Sequence, residues 1–214
     1  MAGIFDLLGS DLGKTIISGV AGSTGQDAGK TGSVLTMALP VLMKAMERNA
    51  STPQGAEGLM SALNKHDGGI LDNLGDLFGG GVNESVTQDG GKILGHVLGN
   101  KQEGVQQILS QKSGIDAGSV GNILKVAAPI LMGVLGKQSR QQNVSSSSGI
   151  GGLLGGLLGG ASNSGAVTQE QTFLEKILDS DGDGSVIDDV AGMVLGSSKG
   201  KSGIGGLLGG LFGK

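Results

Sequence analysis

A chain of 214 residues with a formal net charge of −4, 45 Gly, 4 Phe and no Cys, Trp or Tyr has room for one or two domains with a buried core. The lack of Cys excludes disulfides, thiolate metal sites and cysteine nucleophiles. The acidic balance argues against a general nucleic-acid binder, whose affinity comes largely from neutralising phosphates, and the few scattered Phe offer no platform for stacked bases.

The opening residues, MAGIFDLLGSDLGKT, place Asp6 and Asp11 among the apolar positions and carry no basic leading segment. They do not read as a signal peptide. No run of about 18 apolar residues free of charge marks a conventional transmembrane helix, so the expected location is the cytoplasm. Ile4, Phe5, Leu7, Leu8, Leu12, Ile16 and Ile17 recur mostly at threes and fours, which predicts a weak helix over residues 4–22.

Residues 25–49 then read GQDAGKTGSVLTMALPVLMKAMERN. Asp27 is an N-cap candidate for a short turn, and Val34, Leu35, Ala38, Leu39, Leu42, Met43 and Met46 then form a helical stripe. Pro40 lies inside the stripe and predicts a kink or a split, because it removes one backbone donor. Ser51-Thr52-Pro53 starts another helix, with Leu59, Met60 and Leu63 on its buried side and a stop at His66-Asp67-Gly68-Gly69. Leu71, Leu74, Leu77 and Phe78 make a short apolar segment closed by Gly79-Gly80-Gly81. Ile93, Leu94, Val97 and Leu98, then Val105, Ile108 and Leu109, continue the helical pattern across residues 88–110.

Residues 114–138, GIDAGSVGNILKVAAPILMGVLGKQ, repeat residues 25–49 at a constant offset of 89, with Pro129 against Pro40. Gly114 matches Gly25, Asp116-Ala117-Gly118 matches Asp27-Ala28-Gly29, and Leu131-Met132 matches Leu42-Met43. One register held across a proline predicts a duplicated helical unit. The polar run over 138–148 predicts a flexible linker.

The sequence SGIGGLLGGL occurs at 148–157 and again at 202–211. Each Gly costs a helix about 0.8–1 kcal/mol relative to Ala, whereas each buried Leu returns roughly 1.5–3 kcal/mol. Such segments are expected to be disordered alone and helical when docked, their Gly side permitting close backbone approach. Flexible Gly-rich tails, docking on the domain or on other subunits, and contact with a membrane surface are the competing readings, although a surface-seeking helix usually has a basic polar face.

The acidic stretch Asp179-Ser180-Asp181-Gly182-Asp183-Gly184-Ser185-Val186 matches the start of a calcium loop of the EF-hand type. Asp179, Asp181 and Asp183 stand where carboxylates converge on a hard cation, and Ser185 would offer its backbone carbonyl. Val190 stands where such a loop closes with Glu, so Asp188 or Asp189 would close a shortened site. Ca²⁺ is the expected ion and Mg²⁺ the alternative; the bland reading is a turn whose Asp side chains cap the next helix. His66 and His96, the two histidines, lie in no metal-ligand spacing, and His66-Asp67 reads as a helix terminus rather than a catalytic dyad. Met37, Met43 and Met46 read as core fillers.

The segments Asp89-Gly90-Gly91-Lys92-Ile93-Leu94-Gly95-His96-Val97-Leu98-Gly99, Ala127–Gln138 and Leu178–Val190 together resemble a bacterial family of unknown function typified by YidB. The resemblance covers most of residues 25–195. It implies a small all-α domain with a homeodomain-like helical arrangement in shorter members, and no established activity. The acidic balance sets DNA binding low, since fold alone does not confer function.

The expected fold is therefore all-α: two related helical units with Pro-kinked helices, plus Gly-Leu-rich C-terminal segments. The expected divisions are 1–81 and 82–138 for the two units, 139–170 for a linker with a Gly-Leu segment, 171–197 for helix–acidic loop–helix, and 198–214 for a Gly-Leu tail. The expected function is non-enzymatic: a structural protein forming homo-oligomers or filaments through its helical units and Gly-Leu segments. The alternatives are a peripheral membrane protein and, below it, a DNA-associated regulator.

Overall fold

The computed structural model describes residues 4–144 and 146–159. In chain order the helices are α1 (Ile4–Gly9), α2 (Asp11–Thr24), α3 (Ala28–Ala50), α4 (Pro53–Lys65), α5 (Gly69–Asp72), α6 (Leu74–Gly79), α7 (Glu84–Leu98), α8 (Gln102–Ser113), α9 (Ala117–Gln141) and α10 (Ser147–Gly159), with a 3-10 turn at Gly99–Lys101 before α8. No strand occurs among the described residues. The protein is all-α.

Local chemistry sets the helix ends. The helix expected over 4–22 is broken at Ser10, whose hydroxyl donates to the Leu7 carbonyl at 2.6 Å and accepts the Gly13 N–H at 3.2 Å. One side chain thus ends α1 and caps α2. A Cβ on Gly13 would overlap the Leu7 and Leu8 carbonyls, so glycine permits this tight corner. Asp27 and Asp116 cap α3 and α9 alike: each carboxylate accepts a backbone N–H three residues on at 2.9 Å. Gly25 and Gly114, which end the preceding helices, both have φ 67° and ψ 26°, a left-handed conformation that glycine adopts without a Cβ penalty.

Neither proline splits its helix. Pro40 is buried inside the 23-residue α3 and Pro129 inside the 25-residue α9. A proline at 129 has no N–H for the Lys125 carbonyl, four residues earlier. Gly90 of α7 lies against that oxygen so closely that a Cβ would overlap it. The missing hydrogen bond in α9 and the missing side chain in α7 therefore coincide at one helix crossing.

α3 and α9 are the two central helices and pack against each other. Around them lies one apolar cluster with members from Ile4 to Leu157. α4 follows α3 in sequence but also packs on α9, and α10 follows α9 but packs chiefly on α3. α9 is long and apolar enough to cross a membrane, with a mean hydropathy of 1.5 over its most apolar window. That window is 78% buried inside the fold, as the apolar face of a core helix is.

The polar run after Lys137 is helical as far as Gln141. There the chain reverses. The Asn143 N–H donates to the Arg140 carbonyl and the Val144 N–H to the Ser139 carbonyl at 2.8 Å, and Asn143 takes φ 52°. This is a Schellman stop with asparagine in the left-handed position. It turns the chain back so that α10 lies along α3 and α4.

Candidate functional site

α10 is the part of the described chain whose sequence is least suited to standing alone. Its start is held by the Ser146 hydroxyl, which accepts the Gly149 N–H at 3.3 Å. Beyond that cap, glycine opposes helix formation. What offsets it is a single stripe: Ile150, Leu153, Leu154 and Leu157 fall at threes and fours, and none is more than 4% exposed. Their seat is formed by α3 and α4, with α9 alongside.

The glycines of α10 divide into two kinds. A Cβ on Gly149 would press on Val144 Cγ1 at 2.9 Å, so this glycine allows the tight return from α9. Gly151, Gly152 and Gly155 meet nothing within 4 Å of a Cβ position. The close backbone approach expected of the Gly side is thus absent at these three positions within the chain, and they face open space. The second copy of the decapeptide, residues 202–211, lies outside the described residues. So do Asp179, Asp181, Asp183, Ser185, Asp188 and Asp189. Among the described residues no group of three or more His, Cys, Asp or Glu could hold a metal ion.

His66 ends α4, as its spacing predicts. It pairs not with its neighbour Asp67 but with Asp89 of α7, Nε2 to Oδ2 at 2.7 Å, while Nδ1 faces the Ala62 carbonyl at 2.8 Å. Both partners are acceptors. Asp67 instead faces Arg140 of α9 at 3.4 Å. A Cβ on Gly136 of α9 would overlap the His66 carbonyl. His66 therefore marks the place where α4, α7 and α9 meet. The sequence signal for it was available only in part: Gly90 and Gly136 flag close approaches, but nothing local joins His66 to Asp89.

A family model described as a bacterial protein of unknown function (DUF937) matches residues 6–138. The chain belongs to this family. The DUF937 span begins within α1 and ends within α9, so it contains α3 and most of α9 but neither the Asn143 reversal nor α10. No curated protein and no solved structure matches the chain.

Proposed function

We propose that this DUF937 protein is a non-enzymatic, self-associating structural protein, and that its spare Gly-Leu segment makes the contact between copies. One observation carries this reading: α10 is docked, and its core decapeptide recurs without change at 202–211. The docked copy shows what this sequence does when it meets an apolar surface. It becomes helical and buries Ile150, Leu153, Leu154 and Leu157. The recurring copy carries the same four apolar residues as Ile204, Leu207, Leu208 and Leu211.

The seat on α3 and α4 is already filled by α10, which the short link after α9 holds at high effective concentration. Every copy's seat is filled alike, so the spare segment gains burial against the spare segment of a second copy. Within the family, the motifs at Asp89–Gly99, Ala127–Gln138 and Leu178–Val190 support likeness to the YidB-typified members. The repeated elements around Pro40 and Pro129 support descent of the two halves from one duplicated unit. A cytoplasmic location belongs to the same proposal, as does Ca²⁺, or Mg²⁺, at Asp179, Asp181, Asp183, Ser185, Asp188 and Asp189.

Sedimentation of the full chain against a chain ending at Lys201 tests the reading. The full chain should sediment well above 21.1 kDa, and the shortened one as a monomer. A monomeric full chain, or equal assembly by both, would overturn it. Repeating the run in chelator shows whether the acidic loop governs assembly, and co-sedimentation with anionic liposomes in place of assembly would move the reading to the membrane alternative.

A further inference from the structure

The two halves of the fold can be compared position by position at the offset of 89, and they differ most informatively beside one glycine pair. In the first half, the Cβ position of Gly32 is covered by Ile17, whose methyl carbons lie 3.6 Å away. Gly121 and Gln106 take the same places in the second half. There the Gln106 amide lies on the glycine, with Nε2, Cδ and Oε1 at 3.1, 3.2 and 3.3 Å from its Cβ position. An apolar plug in one half is a polar group in the other.

Gln106 forms part of the wall of a cleft of about 540 Å³ between the turn after α7, α8 and the first turns of α9. Its polar walls are Asn100, Gln102, Glu103, Gln106, Asn122 and Lys125. Gln102, Gln106 and Lys125 are half-buried, and Asn100, Glu103 and Asn122 are exposed. Elsewhere in the fold polar side chains bridge helices, as Gln26 does to Ser119 and Asn49 to the His96 and Val97 carbonyls. Around the cleft, Glu103 and Lys125 line one space without forming an ion pair with each other.

We propose that this cleft binds a small zwitterion of the amino-acid or dipeptide class. Lys125 supplies the cation for a carboxylate, and Glu103 the anion for an ammonium group. The four amides, which both donate and accept, suit an amide or peptide group between the two. The wall has one cation and one anion, which disfavours a phosphate ligand. It has no aromatic side chain on which a base or sugar could stack.

The test uses the full-length protein and calorimetric titration with each standard amino acid and with glycylglycine. At least one probe should bind saturably below ~10 mM, the weak end of specific recognition. Lys125→Met and Glu103→Gln should each weaken it by about tenfold or more, as loss of a charged partner does. Gln106→Ile, which restores the first-half plug, should abolish binding while the helical circular dichroism signal is kept. Absence of binding by every probe would overturn the proposal. So would binding that Gln106→Ile leaves unchanged, or binding of a neutral sugar that is indifferent to both charge variants.

Discussion

Thr31 is fully buried in α3, and its hydroxyl has no hydrogen-bond partner. A lone buried hydroxyl is a cost that an isosteric methyl removes, and the matching position in α9 is Val120, also fully buried. Thr31→Val should therefore raise stability by about 1 kcal/mol, read as a higher urea midpoint at unchanged slope; a lower midpoint would mean that the hydroxyl is bonded in solution. Gly90 gives the opposite case. Because a Cβ there meets the Lys125 carbonyl, Gly90→Ala must push α7 away from α9, at a cost of about 1–3 kcal/mol, measurable in the same titration.

Asp116 adds a pH dependence. Its hydrogen bonds with the Ser119 side chain, then with the Ser119 backbone, hold its carboxyl below the ordinary carboxylate value. A lowered folded pKa means that the unfolded chain takes up the proton first. The stability from this cap is present above the unfolded value and is lost as pH falls through the folded one. Asp116→Asn should flatten the acid limb of a stability–pH profile, and an unchanged limb would remove Asp116 from it. Both cap residues are legible in the sequence because capping is a local rule read within four residues. The His66–Asp89 pair is not, since its partners meet only through the packing of α4 and α7 on α9.

At the scale of an element, α10 depends on the reversal that delivers it. Asn143 holds φ 52°, which a β-branched side chain tolerates poorly. Asn143→Val should lower stability by about 1–2 kcal/mol, whereas Asn143→Gly should be nearly neutral; thermal unfolding of the pair separates the two outcomes. The three open glycines of α10 give a different forecast. Gly151→Ala, Gly152→Ala and Gly155→Ala each meet empty space, so the triple variant should be more stable, by up to about 1 kcal/mol per site. A variant that gains stability yet sediments smaller would assign this stripe to a contact between copies. The helical stripes of α3 and α9 are readable from spacing, since their apolar residues face one core. Pro40 and Pro129 leave a kink or a split open in the sequence, and the helices run through both; the end of α9 is hidden because a left-handed Asn leaves no mark as strong as Gly.

At the scale of the whole molecule, the outer helices rest on more than the central helix they follow. α4 leaves α3 to rest also on α9, and α10 leaves α9 to rest on α3. A fragment of residues 1–81 lacks both α9 and α10, so it should show no cooperative unfolding transition; a sharp independent transition would mean that the first half is self-sufficient. The all-α class follows from the sequence because no period-two pattern competes with the helical one. The seat of α10 on α3 does not, since it depends on the Asn143 turn and on contacts far apart in sequence.

That seat bears on how the protein is made. Synthesis proceeds from the first residue, and domains tend to fold as they emerge. Here the face of α3 that receives Ile150, Leu153, Leu154 and Leu157 is finished long before those residues have been translated. Until Gly159 clears the ribosome the nascent chain carries an uncovered apolar groove, and the contacts that close it are among the most distant in sequence, the kind that form slowly. Ribosomes crowded on one message would bring such grooves side by side, so the growing chain is most open to its neighbours while it is still incomplete.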